Sequence, residues 1–205
     1  MMQQAGKLGM TGRLSMRITR IPKAPLSWRL RNWLRWAYIW GLLTNTLAKV
    51  FSRVTGIPTF TGELRARYRS ADGRWVDLGV LSRRVVTTAA AQFIVDAFDN
   101  KATDPSTWNY HAVGTGTGDE AVGDTTLGTE IESRATGTKT QPTAVQLQTE
   151  ATITFTGSHA VTEHGVFSAT PSGGTLLDRS KFAAWNVGSG DQVTYTYILS
   201  VNAGG

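Results

Sequence analysis

Val145-Gln-Leu-Gln-Thr-Glu-Ala-Thr-Ile-Thr-Phe-Thr156 is the stretch on which the fold turns. Val145, Leu147, Ala151, Ile153 and Phe155 fall on one side of an extended chain, and Gln146, Gln148, Glu150, Thr152, Thr154 and Thr156 on the other. Successive side chains of a strand point to opposite faces, so this reads as a long antiparallel strand with one face in a core and one in water. Val193, Tyr195, Tyr197, Leu199 and Val201 repeat the pattern ahead of Gly204-Gly205.

Upstream, Leu64, Ala66 and Tyr68 alternate with Glu63, Arg65, Arg67 and Arg69. Asp72-Gly73 then supplies a tight turn, and Trp75 to Leu81 returns as the second strand of a hairpin. Shorter strands are expected at 108–114, 161–169 and 176–187. One helix is expected in the body, Ala89 to Phe98, capped by Thr87 or Thr88, with Ala90, Phe93, Ile94, Ala97 and Phe98 as its apolar face. Short strands separated by Gly, Ser and Asp turns make a mainly β chain, with an antiparallel β-sandwich or barrel-like body over residues 59–205.

Residues 1–58 read as an N-terminal arm, extended at first and then helical over about 27–54, where Trp33, Trp36, Ala37, Trp40, Leu43, Leu47, Val50 and Phe51 recur at three- and four-residue steps. Gly56-Ile57-Pro58 is the linker. Charge divides the chain in the same place: residues 1–62 hold ten Lys and Arg and no carboxylate, while the remainder carries 11 basic and 15 acidic groups. Such an arm suits an acidic protein surface, nucleic acid or anionic lipid. Its uncharged stretch between Arg35 and Lys49 is 13 residues long, short of the roughly 20 that span a bilayer. The first apolar run, Trp36 to Leu43, lies far from Met1, contains three aromatics and lacks a small-residue cleavage site, so export by a signal peptide is not expected. With no cysteine, neither disulfides nor thiolate metal sites hold the fold, which fits assembly in a reducing cytoplasm.

The chemical motifs are few. Gly114-Thr-Gly-Thr-Gly-Asp-Glu-Ala-Val-Gly123 offers bare amides to an anion but lacks GK[ST] and places Asp119 and Glu120 where phosphate would sit. The plainer reading is a strand end passing into a surface loop. Asp119, Glu120 and Asp124 are cation-ligand candidates without EF-hand spacing, and whether this loop takes a cation stays open. His111, His159 and His164 lack metal spacing, and Glu163-His164 reads as a surface pair. There is no G-x-S-x-G elbow and no carboxylate pair to nominate for glycoside hydrolysis, so no catalytic, metal or cofactor residue is assigned.

The arm is the informative constellation. Trp28, Trp33, Trp36 and Trp40, four of the seven tryptophans, interleave with Arg29, Arg31 and Arg35. Trp and Arg are enriched at binding hot spots, where one such residue contributes about 2 kcal/mol or more, so these seven are the candidate partner-binding residues. The competing readings are a helix packed on its own domain, a helix lying on a membrane surface, and contact with encapsidated nucleic acid.

Two blocks over residues 108–201 carry a family resemblance. His111-Ala-Val-Gly-Thr-Gly-Thr-Gly118 with Asp124-Thr-Thr-Leu-Gly-Thr-Glu130 resembles a "G-T-G-T … D-T-x-L-x-T-E" loop of phage structural proteins. Val161-Thr-Glu-His-Gly-Val-Phe167, Gly173-Gly-Thr-Leu-Leu-Asp-Arg179, Phe182 and Gly190-Asp191 are similar to the "ITEAGLF … GG-x-LLAR … F … GD" pattern of tailed-bacteriophage virion modules. His164 and Asp178 stand where Ala is commoner in that pattern, a departure that does not alter the physical reading. The resemblance implies a non-enzymatic virion protein assembled in the host bacterial cytoplasm. On this reading it is a capsid decoration or cement protein whose arm grips the major capsid protein or other virion proteins. The alternatives are a tail, collar or fibre-associated adhesion protein and, from another class, a virion glycosidase. Symmetric positions on a virion imply a homo-oligomer, with a trimer expected.

Overall fold

The structure is a computed structural model that describes residues 21–83, 86–99, 101 and 104–202. The extended segment expected before Ile21 lies outside the described residues.

The alternating stretches become strands, and the strands form two antiparallel sheets packed face to face. One sheet runs in the order β2 (Trp75–Ser82), β1 (Thr59–Arg69), β9 (Gln192–Asn202), β6 (Gln146–Thr154), β5 (Thr138–Thr143). The other runs β4 (Glu130–Thr136), β3 (Tyr110–Gly114), β7 (His159–Phe167), β8 (Leu176–Val187). The register is set by the apolar faces: Tyr195 lies between Ala66 and Ala151, and Val193 between Tyr68 and Ile153. A slip of one residue would turn Gln148 and Thr152 inward and expose Ile153, which is why the pairing is specific. From the facing sheet, Val113, Val161, Val166, Leu177 and Phe182 close the same core.

Several particulars differ from the sequence reading. Val145 is half exposed because the chain is still turning there; β6 begins one residue later, and the Val145 carbonyl accepts from the Val201 amide at 2.9 Å. Thr149 takes its place on the apolar side and is buried. The edge strands β4 and β5 were not foreseen, since β5 is exposed at every position and so carries no alternation.

Helix α3 (Thr88–Phe98) starts as expected, with the Thr87 hydroxyl accepting from the Ala90 amide at 3.1 Å. Ala90 is fully buried and the Phe93 ring lies 4.7 Å from Trp108, but Phe98, expected on the same face, is 86 % exposed. The helix packs through its first turns and projects its last one into solvent.

The single helix expected over 27–54 is two: α1 (Leu26–Trp33) and α2 (Trp36–Thr55). Arg35 between them is extended, at φ −63° and ψ 129°. Neither Gly nor Pro stands at this break. Its physical cause is that the two halves are tied to the body at separate places, α1 through Trp28 and Asn32 and α2 through Ser52, whose hydroxyl donates to the Asn202 carbonyl at 2.9 Å. Gly56, at φ +73°, then ends α2 in the left-handed conformation that glycine adopts without a Cβ clash.

Candidate interaction surface

Before α1 the chain pairs with the edge of the first sheet. The Ala24 amide donates to the Asp77 carbonyl at 2.8 Å and the Asp77 amide to the Pro22 carbonyl at 2.7 Å, which covers part of the β2 edge. Helix α1 then lies across the side where β2 and β8 approach. Trp28 and Asn32, one turn apart, point inward. The Trp28 indole N–H donates to the carbonyls of Ala183 (3.2 Å) and Ala184 (3.0 Å), and its ring meets Trp185 edge-on at 5.3 Å. Asn32 joins the sheets: its Nδ2 donates to the Leu81 carbonyl at 3.1 Å, and its Oδ1 accepts from the Ala183 amide at 2.9 Å. Ala24 and Trp28 therefore belong to the body's own core, and the boundary expected at residue 58 does not separate them from it.

This corrects the role expected of Trp28, which is 4 % exposed and has its indole buried inside its own chain, where both its ring and its N–H are satisfied. Trp33 is 52 % exposed. The two tryptophans should accordingly behave in opposite ways. Trp28→Ala is expected to cost about 3–5 kcal/mol of folding stability, as for a large aromatic deleted from a core. Trp33→Ala should stay within roughly 0.5 kcal/mol, as for a surface change. Urea denaturation of both variants checks this, and equal losses would contradict the inward and outward assignment.

On the other side of α1, Leu26, Leu30 and Trp33 stand at i, i+4 and i+7 and are all exposed, as are Arg29 and Arg31. Residues at that spacing share one helix face, so α1 presents an apolar stripe bordered by two guanidinium groups, with no carboxylate in the helix. A groove of about 310 Å³ runs between this stripe and Leu78–Val80 of β2. Arg35 turns back toward the body, where its Nη2 lies 3.9 Å from the buried Glu120 carboxylate. Of the seven candidate residues, then, Arg29, Arg31 and Trp33 are brought together on the outer surface. Trp28 faces in and Arg35 is committed to an ion pair. Trp36 and Trp40 lie on α2, and their side chains fall outside the described residues. Leu26 and Leu30 were missed, although their spacing to Trp33 was legible.

The Gly-rich loop does hold an anion, and that anion is the chain's own. The amides of Gly116 (2.8 Å), Gly128 (3.1 Å) and Thr129 (2.9 Å) converge on the Glu163 carboxylate, which Arg179 also grips through Nε (2.9 Å) and Nη2 (2.7 Å). Arg179 Nη1 reaches Asp124 at 2.9 Å, and Lys181 donates to the Gly116 carbonyl. A Cβ on Gly116 would lie 2.4 Å from Glu163 Oε1, so the close approach requires glycine. Burial alone raises the Glu163 carboxyl, but the Thr129 amide, Arg179 and the two glycine amides outweigh it and hold the group below its ordinary range.

Glu163 and His164 are both fully buried, which overturns their reading as a surface pair. The physical reason is that both faces of β7 are covered, His164 by Tyr195 of the facing sheet and Glu163 on the other side by the amides of Gly116, Gly128 and Thr129 and by Arg179. His164 Nε2 meets His111 Nδ1 at 2.9 Å, His111 Nε2 meets the Thr149 hydroxyl at 3.1 Å, and the Tyr195 ring covers His164 at 4.7 Å. His164 and Asp178 both lie in the interior, where Asp178 accepts from Ser180 at 2.6 Å. Among the described residues no group of three or more His, Cys, Asp or Glu is placed to hold a metal ion.

No protein-family model matches this chain, and no curated protein matches it. The chemistry of the surface is then the guide. Several charged groups of the body, among them Glu163, Asp178, Arg179 and Lys181, are buried, whereas α1 offers solvent an apolar stripe and positive charge, a combination suited to docking. Among the described residues no helix is long and apolar enough to cross a membrane.

Proposed function

We propose that this chain is a non-enzymatic structural component of a tailed-phage particle, a decoration or cement protein that docks on the capsid shell through the outer face of α1. The observation that carries the reading is the Leu26, Leu30 and Trp33 stripe flanked by Arg29 and Arg31, held rigidly on a β-sandwich by Trp28 and Asn32. Preorganisation of this kind lowers the entropy lost on binding, and an aromatic anchor with guanidinium neighbours matches an acidic, apolar-grooved protein surface. The resemblance over residues 108–201 supports the same assignment. Its recurrent Glu and Arg are Glu163 and Arg179, the pair that pins the Gly-rich loop. A structural rather than catalytic role is supported by the commitment of Glu163, His111 and His164 to interior partners.

The test is retention on purified particles. Deleting residues 1–58 is unsuitable, because it removes Trp28 from the core; Leu30→Ala/Trp33→Ala and Arg29→Glu/Arg31→Glu leave the core untouched. Each double variant should be retained at least about tenfold less well than the parent chain, and the parent's retention should weaken as salt rises. Retention equal to that of the parent would defeat the docking role of α1. Hundreds of copies per particle fit a decoration protein, and a few to tens would move the assignment to the tail or collar.

A further inference from the structure

The junction between α1 and α2 lacks the local signals that end one helix and begin another. Leu34 closes α1 in the right-handed conformation, its amide still donating to the Leu30 carbonyl at 2.8 Å, and no glycine follows it. Arg35 stands at the N-cap of α2, where its side chain makes no capping hydrogen bond, and the first turn of α2 has no carboxylate. A helix begins with unpaired N–H groups and the positive end of its dipole, so a guanidinium there is unfavourable and an anion is favoured. A carboxylate reaches this point from a distant part of the chain: Glu120 of the Gly-rich loop, whose side chain is 3 % exposed, lies 3.9 Å from Arg35 Nη2.

Glu120 is held in place because the loop is clamped on both sides of it. Ahead of it, Arg179 donates to the carbonyls of Gly118 (3.2 Å) and Asp119 (3.3 Å). Behind it, the Ala121 amide donates to the Asp124 carboxylate at 2.8 Å and the Thr88 amide to the Val122 carbonyl at 2.8 Å. Lys181, which donates to the Gly116 carbonyl, stands within the field of the same groups: burial lowers its ammonium, Glu163 raises it, Arg35 and Arg179 lower it, and Glu120 raises it. The groups joined by these contacts balance when Arg35 is included, with Arg35, Arg179 and Lys181 facing Glu120, Asp124 and Glu163.

We infer that Arg35 and Glu120 form a latch by which the Gly-rich loop mounts the arm: the loop carboxylate compensates the guanidinium at the start of α2 and so holds the chain bent between its two helices. Trp28 and Asn32 fix α1, Ser52 fixes the far end of α2, and the latch fixes the turn between them. The loop, which carries part of the resemblance, thereby positions an arm that lies outside it. The consequence for docking, which rests on the reading above, is that Trp33, two residues before Arg35, keeps its outward aim although Glu120 itself is buried and touches no partner.

Amide hydrogen exchange of the full chain, read by mass spectrometry in solution without particles, tests the latch separately from docking. Glu120→Gln keeps the shape of the side chain and removes its charge, leaving Arg35 without this counter-ion beside Lys181 and the positive end of α2. Residues 34–43, where the Leu34 amide bonds to Leu30 and the Ile39 amide to Arg35, should then exchange at least about tenfold faster, while strands β6 to β9 exchange as in the parent chain. Asp119→Asn, which removes the neighbouring exposed charge, should match the parent throughout. Adding Arg35→Gln to Glu120→Gln should restore most of the protection, because the stranded cation is gone. Exchange over 34–43 within about twofold of the parent in Glu120→Gln overturns the latch. So does a uniform rise through the strands, which would make Glu120 a group of the core at large. A double variant that exchanges as fast as Glu120→Gln overturns it too, since Glu120 would then not act on Arg35.

Discussion

Replacing Glu163 with Ala is expected to lower folding stability by about 3–5 kcal/mol, the range for removing one partner of a buried ion pair. The carboxylate accepts from the Gly116 amide of the Gly-rich loop, from the Gly128 and Thr129 amides that follow it and from Arg179, and it is fully buried. Without it, three N–H groups are left with no acceptor, and Arg179 loses its buried carboxylate and keeps Asp124 and the carbonyls of Gly118 and Asp119. Glu163→Gln retains an acceptor oxygen and the side-chain shape but not the charge, and should fall between Ala and the parent. Urea denaturation at neutral pH gives the comparison. A loss below about 1 kcal/mol for Glu163→Ala would mean that the loop is held by something other than this carboxylate.

The second large effect is a loss of stability in mild acid. Burial pushes His111 down to about 3, and burial followed by the nearby His111 holds His164 well below its ordinary value. In the unfolded chain both titrate near 6.5. The unfolded state therefore takes up protons that the folded state refuses, so the contribution is intact above about pH 6.5 and is lost as pH falls from there toward the folded values. Geometry gives the same sign: the two rings share a hydrogen bond at 2.9 Å, and a second proton would place two cations in contact within the sandwich. At about 1.4 kcal/mol per pH unit for each histidine in the limit, the pair should remove about 3 kcal/mol between pH 6.5 and pH 5. Ordinary carboxylates titrate near 4 and contribute little in that window. Denaturation midpoints at pH 7, 6 and 5 test this. The double variant His111→Leu/His164→Leu should flatten the profile, whereas an equally steep profile without the two rings would assign the acid sensitivity elsewhere.

How much was legible in advance differs from element to element for physical reasons. Half-buried strands announce themselves, since one wet face and one dry face force a period of two; β1, β6 and β9 stand where the alternation placed them. The cap of α3 was equally plain, because Thr87 precedes an apolar periodic run and its hydroxyl has an orphan amide to satisfy. The exposed edge strand β5 carries no such signal, because no face of it is buried. The interior pairing of Glu163 with Arg179 was not legible either. The partners lie 16 residues apart on adjacent strands, and only the register between β7 and β8 brings them together.

The arm shows the same division within a single segment. Composition established that it is basic, rich in tryptophan and helical, because charge and apolar spacing are properties of the residues themselves. Which tryptophan faces which way was decided only in three dimensions. Trp28 and Trp33 are five residues apart, which on a helix places them on different faces, and it is the approach of β2 and β8 that draws Trp28 and Asn32 inward and leaves Trp33 outside. The break at Arg35 has the same origin, since no local residue requires it and two separate anchorages do. The sequence by itself thus determined the main strands, their inward faces and the existence of a basic, tryptophan-rich helical segment, through local periodicity and charge. The tertiary structure alone decided that part of that segment is core, that the Gly-rich loop is filled by the chain's own carboxylate, and which apolar faces are left for other molecules, because burial depends on what the rest of the chain brings into contact.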